Sequence, residues 1–157
     1  MTKEELEIRA ARAVELFKQG YNCSQSVVAA FADMYGFNQD QALRMSASFG
    51  GGIGRMRSVC GAACGMFLLA GLETGSVNSE DRDGKAANYA FVQQLAERFR
   101  QINGALECSE LLGLRKGGAT PFTPEARTAQ YYAKRPCVQI VETAARIWAE
   151  EMIKRSL

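Results

Sequence analysis

Apolar residues recur at intervals of three and four along almost the whole chain, and that periodicity leaves room for little but helices. Over residues 4–18 they fall at Leu6, Ala10, Ala13, Val14 and Phe17, on one face of an amphipathic helix. Gly20 follows as a stop signal. Asn22 reads as the N-cap of a second helix over residues 23–35, with Val27, Val28, Phe31 and Met34 facing inward. Gly36 ends that helix, and Asn38 caps a third over residues 39–47. The glycine-rich stretch FGGGIGR predicts a loop. Beyond it, Ser58 is placed to cap a fourth helix over residues 59–72. Its run MFLLAGL is apolar on every side, which predicts a central buried helix. A long helix over residues 79–101 carries Tyr89, Val92, Leu95 and Phe99 as its buried stripe, and ECSELLG predicts a short helical turn. Residues 115–134 contain Gly117, Gly118, Pro121 and Pro124 and predict an irregular segment. The last helix runs over residues 136–156, with proline in its first turn. No strand pattern, internal repeat or low-complexity segment is present. The expectation is one all-α domain over residues 1–157, a bundle of about five to seven helices around the central one.

A chain of 157 residues can bury a core without disulfide staples. A net charge of +2 with interspersed signs gives no electrostatic case for nucleic acid or a membrane surface. The opening residues lack the apolar stretch of a secretory signal, and no apolar run approaches the roughly 18–20 residues of a membrane span. The expectation is a cytoplasmic chain. In that compartment disulfides are usually transient or catalytic, so five cysteines suggest redox chemistry, metal or plain burial before staples. The absence of histidine removes the usual general base and the usual zinc-ligand partner of cysteine.

The helix pattern places Cys23, Cys60 and Cys137 in first turns and Cys108 at the start of a short helix. A helix N-terminus presents unpaired N–H groups and a partial positive charge of about half a unit, both of which favour thiolate over thiol. Thiolate is the form that attacks disulfides and binds metals. A single cysteine is more often a small buried hydrophobe, but several at helix starts are harder to explain by burial alone. Cys60 and Cys64 lie at i and i+4, about 5–6 Å apart at Cβ on a regular helix, too far for an undistorted disulfide. That spacing suits a shared metal better. A four-thiolate site for zinc or an iron–sulfur cluster is chemically open, as is thiol–disulfide exchange.

The glycines divide two ways. Gly61 and Gly65 inside the fourth helix mark either a close helix crossing or the approach of a ligand to the backbone beside Cys60. Gly51 and Gly52 are candidates for the same ligand contact. GGGIGR follows a helix and lacks the Lys-Ser/Thr of a phosphate loop, so nucleotide binding is disfavoured. Arg55 and Arg57 flank Cys60 in sequence and are candidates to lower its pKa. With its helix start and glycine loop, that makes Cys60 the expected attacking thiol.

Five segments in order, NCSQSV, FGGGIGR, CGAACG, ECSELLG and RPCVQIV, carry a recognisable pattern. Over residues 20–145 the chain resembles the family of redox-active proteins named for its cysteines, C_GCAxxG_C_C. The resemblance implies a compact helical domain with four functional cysteines, here Cys23, Cys60, Cys108 and Cys137. They would work in redox chemistry or as ligands of a prosthetic group such as an iron–sulfur cluster. The motif reads Cys-Gly-Ala-x-x-Gly in this chain, so Cys64 falls at a variable position, as a fifth ligand or as a buried thiol. Two other readings compete with a redox protein: a non-catalytic zinc or cluster module, and a helical interaction domain, a homodimer for instance, whose cysteines are only buried. The redox partner is not named by the sequence.

Overall fold

Side-chain caps set most of the helix starts in the computed structural model, which describes residues 1–115 and 118–157. Thr2 caps α1 (Lys3–Lys18), and its hydroxyl accepts from the Glu5 N–H while the Glu5 carboxylate reaches back to the Thr2 N–H. Asn22 and Asn38 make the same reciprocal box with Gln25 and Gln41, and so start α2 (Cys23–Ala29) and α3 (Gln39–Ser46). Then come α4 (Gly61–Thr74), α5 (Arg82–Asn103), α6 (Cys108–Leu111), α7 (Ala129–Lys134) and α8 (Cys137–Arg155). Short 3₁₀ turns lie at Ala32–Tyr35 and Ala47–Phe49. The fold is all-α; among the described residues the sole extended pairing is one antiparallel bridge, Val59 to Glu107.

Helix α4 sits against α2, α5 and α8, and α8 in turn packs along α1. The main core gathers Phe17, Phe31, Met66, Leu69, Leu95, Phe99 and Trp148, all without solvent contact. Burial of side chains this large is worth about 1.5–3 kcal/mol each. A second, smaller cluster of Leu16, Val28, Ala29, Ala32 and Ala42 fixes α3 beneath α2.

Several boundaries differ from the sequence expectation, each for a local reason. The second helix breaks after Ala29 and resumes as a 3₁₀ turn, which swings Met34 to 42% exposure instead of inward. Ser58 does not cap the fourth helix. It precedes the bridge residue Val59, its carbonyl accepts from the Cys108 N–H, and Cys60 takes the N-cap position without a side-chain cap bond. The central helix is buried from Gly61 to Met66 and again at Leu69 and Ala70, but Phe67 and Leu68 are half-buried and Gly71 and Leu72 reach solvent. The long helix starts at Arg82, capped by Asp81, and Tyr89 lies on its outer face at 63% exposure, while Phe91, Leu95 and Phe99 make the buried stripe. Residues 129–134, expected to be irregular, form α7 with Thr128 as its cap. Gly117 lies outside the described residues.

Candidate functional site

Four helix starts meet at one cavity of about 390 Å³. Cys23, Cys108 and Cys137 are the first residues of α2, α6 and α8, and Cys60 is the N-cap of α4. All four line the cavity. The bridge between Val59 and Glu107 brings Cys60 and Cys108 there: the Cys60 N–H donates to the Leu106 carbonyl at 2.9 Å and the Cys108 N–H to the Ser58 carbonyl at 2.6 Å. None of the five cysteines is in a disulfide.

The glycine loop closes the cavity by running left-handed. Gly51, Gly52, Ile53, Gly54, Arg55 and Arg57 all have φ between 57° and 72°. Gly52 is required twice over. A Cβ there would meet the Cys108 Cβ at 2.6 Å, and its φ of +72° disfavours a side chain in any case. A Cβ on Gly61 would meet the Phe49 carbonyl oxygen at 2.8 Å and the Cys23 Cβ at 3.3 Å, so this glycine lets α2 approach the α4 start. Gly51, Gly52 and Gly61 do line the cavity; Gly65 does not. Gly65 faces α2, where an added Cβ would lie 2.9 Å from the Val27 Cβ, so it serves the helix crossing and not a ligand. Cys64 is likewise outside the cavity, its thiol turned to the Val59 carbonyl oxygen at 3.8 Å.

The thiols are not equivalent. Interaction with the neighbouring Cys137 sulfur, and then burial, raise Cys23 well above the ordinary cysteine value. The same interaction with Cys23, with Arg135, Arg127 and Arg57 nearby, lowers Cys137 to about 7 despite its burial. Burial pushes Cys60 up to about 12, against the opposing pull of the Ala62 and Ala63 N–H groups. It also raises Cys64 to about 11, and raises Cys108 in spite of Arg57, whose Nη1 lies 3.6 Å from its sulfur. These shifts favour Cys137 over Cys60, the thiol expected from the sequence, as the more readily ionised one. Arg57 serves Cys108 and Cys137, and Arg55 turns away to the carbonyls of Pro121 and Thr123 and to Glu125.

Sequence reasoning placed the arginines of the glycine loop near the thiols but missed Arg127 and Arg135. Arg135 was legible, standing two residues before Cys137. Arg127 was not, because it reaches the site across the fold. It donates to the carbonyls of Phe17 and Tyr21 and lies 4.2 Å from the Phe17 ring centroid. Phe122, Pro124, Arg127 and Tyr131 from the connection between α6 and α8 make one wall of the cavity.

Zinc or an iron–sulfur cluster would need several sulfurs drawn together at one point. Among the described residues no three Cys, His, Asp or Glu side chains are grouped so as to hold an ion. Cys23 and Cys137 instead act on each other as a pair, each shifting the pKa of the other. The side chains as placed do not fit a four-thiolate centre, and no step is derived through one. Among the described residues no helix is long and apolar enough to cross a membrane.

Comparison with known proteins agrees with the cysteine pattern. A relative from Archaeoglobus fulgidus, described as "Uncharacterized protein", is 26% identical over 153 residues, covering 92% of this chain and 93% of its own. No solved structure matches. The family model described as "Putative redox-active protein (C_GCAxxG_C_C)" matches residues 21–151, and the chain belongs to that family.

Proposed function

We propose that the chain is a thiol–disulfide exchange protein in which Cys137 attacks and Cys23 resolves. The observation that carries this reading is the meeting of Cys23 and Cys137 at one cavity, where their interaction and the nearby arginines lower Cys137 to about 7 and leave Cys23 raised. An attacking thiol works best when its pKa lies near ambient pH, where thiolate is abundant and still nucleophilic.

The steps balance as follows. The Cys137 thiolate attacks one sulfur of a substrate disulfide, and the other sulfur leaves as a thiolate that takes up a proton. Cys23 then gives up its proton and attacks the Cys137 sulfur of the mixed disulfide, expelling the second substrate thiol. The substrate is reduced by two electrons, and the Cys23–Cys137 pair is oxidised to a disulfide. A dithiol reductant returns the pair to the thiol state by the reverse sequence.

The test is a single turnover of fully reduced protein with 2-hydroxyethyl disulfide. Two thiols should vanish together, and peptide mapping should find Cys23 joined to Cys137. Cys23→Ser should stop at a mixed disulfide on Cys137, and Cys137→Ser should lose the fast phase. A mixed disulfide that accumulates on Cys60 or Cys108 in the Cys23→Ser protein would overturn the assignment.

A further inference from the structure

The charge balance of the cavity exceeds what its thiols need. Arg55, Arg57, Arg127 and Arg135 all line it, and Glu125 is the one carboxylate among its described lining residues. Glu125 is shared by Arg55, at 3.6 Å, and Arg135. Arg57 and Arg127 meet no carboxylate among the described residues; Arg127 is held by two backbone carbonyls, which orient it without neutralising it. One thiolate at Cys137 would still leave the walls with a net positive charge. Charge of one sign inside a low-dielectric cavity attracts ligands of the other sign.

Size and lining restrict the ligand further. About 390 Å³ falls in the range of small-molecule sites, and Phe122, Pro124 and Tyr131 line one wall. Leu111 and Ile140 give the cavity apolar surface suited to a short carbon chain.

We propose that this cavity admits a small disulfide carrying carboxylate groups, with Arg57 and Arg127 as the groups that recognise its charge. This rests on the exchange reading for the disulfide, while the preference for an anion rests on the arginines alone. The test separates the two.

Fully reduced protein is mixed at low salt with dithiodiglycolate, 2-hydroxyethyl disulfide or cystamine, which carry two negative charges, none and two positive charges. Each rate is divided by that of 2-mercaptoethanol with the same disulfide, which removes intrinsic reactivity. The normalised rates should fall in that order, with about tenfold or more between the extremes, and the spread should narrow with added salt. Arg57→Gln should reduce the ratio of dithiodiglycolate to 2-hydroxyethyl disulfide. A general change in thiolate content would move both rates and leave that ratio alone. In parallel, adipate, a dianion without sulfur, should slow alkylation of Cys137 by neutral iodoacetamide. Equal normalised rates without adipate protection would overturn the anion preference and leave exchange standing. No reaction with any disulfide, with adipate still protecting, would overturn the disulfide as occupant and the exchange reading with it.

Discussion

Cys23, the first residue of α2, and Cys137, the first residue of α8, face one cavity and shift each other in opposite directions, Cys23 up and Cys137 down. Neither residue could be ranked from its neighbours in sequence alone. Both stand at helix N-termini, and so do Cys60 and Cys108. The difference comes from what burial leaves around each sulfur. Cys137 keeps three guanidinium groups near it, whereas Cys60 has only two backbone N–H groups to set against its desolvation.

This asymmetry fixes a pH profile. Cys137 is lowered to about 7, so its thiolate fraction grows as pH rises through that value. Cys23 is raised, and Cys60 and Cys64 are raised to about 12 and 11, so they stay protonated across the same interval. One thiol per folded chain should react with iodoacetamide with a midpoint near pH 7 and level off about one unit higher. Arg135→Gln removes a cation that favours the thiolate and should move that midpoint upward. A midpoint near the free-cysteine value in the wild-type chain would remove the basis for Cys137 as attacker.

Cys60 and Cys108 form a second neighbourhood, held by the Val59–Glu107 bridge. Both are raised by burial. They should therefore be oxidised only after Cys23 and Cys137. A stepwise thiol count under increasing diamide should show two equivalents lost before any peptide containing Cys60 or Cys108 changes mass. Cys108→Ser should leave the first step in place. If it abolishes that step, the four thiols act as a unit.

Much of the helical layout was legible because it is local. Asn22 and Asn38 announce helix starts through side chains that bond only three residues ahead, and Leu95 and Phe99 follow a period that any amphipathic helix shows. The misreadings are places where distant residues decide. Met34 fits the period of α2, but the helix has already broken at Ala30, and Ser58 would make a good cap had its backbone not been taken by Cys108. The meeting of four cysteines depends on the packing of α2, α4 and α8, and no spacing in the chain encodes it directly. The two-sided reading of Gly61 and Gly65 resolves one way for each: the first faces the cavity, the second faces Val27.

Gly65 supports a test of the helix crossing that carries the site. On an exposed helix, Gly→Ala gains about 1 kcal/mol. At Gly65 the new methyl would lie 2.9 Å from the Val27 Cβ and 3.2 Å from the Ser24 carbonyl oxygen, with neither free to withdraw far. Overpacking of this kind costs about 1–3 kcal/mol. Gly65→Ala should therefore destabilise by about 1–2 kcal/mol net. Because Cys23 and Ser24 open the same helix, it should also slow disulfide formation between Cys23 and Cys137. Val27→Ala trims the side chain that the methyl would strike, so the double variant should be more stable than the sum of the two losses. Denaturant unfolding of all four proteins gives the coupling directly. Simple additivity would show that α2 and α4 shift apart without strain and that the crossing is less tight than the distances require.

Arg127 ties the wall of the cavity to the far side of the fold. Its guanidinium donates to the carbonyls of Phe17 at 2.7 Å and Tyr21 at 2.8 Å, and lies over the rings of Phe17 and Tyr131 at 4.2 and 5.0 Å. These contacts anchor residues 121–128 to the end of α1, a segment otherwise without regular structure. Segments with few buried contacts open at low free energy and are cut first by proteases. Arg127→Met keeps much of the apolar stem but loses both hydrogen bonds and the charge. Cleavage within residues 118–128 should then quicken by about tenfold, which corresponds to about 1.4 kcal/mol of lost local stability, while the helical core stays resistant. The Cys137 midpoint should rise in the same variant, because Arg127 is one of the cations that lower it. Faster cleavage with an unchanged midpoint would mean that Arg127 holds the wall and does nothing for the thiolate. An unchanged cleavage rate would mean that the other ties hold the segment without Arg127: Tyr132, whose hydroxyl donates to the Lys18 carbonyl at 3.2 Å, and Arg55, which donates to the carbonyls of Pro121 and Thr123.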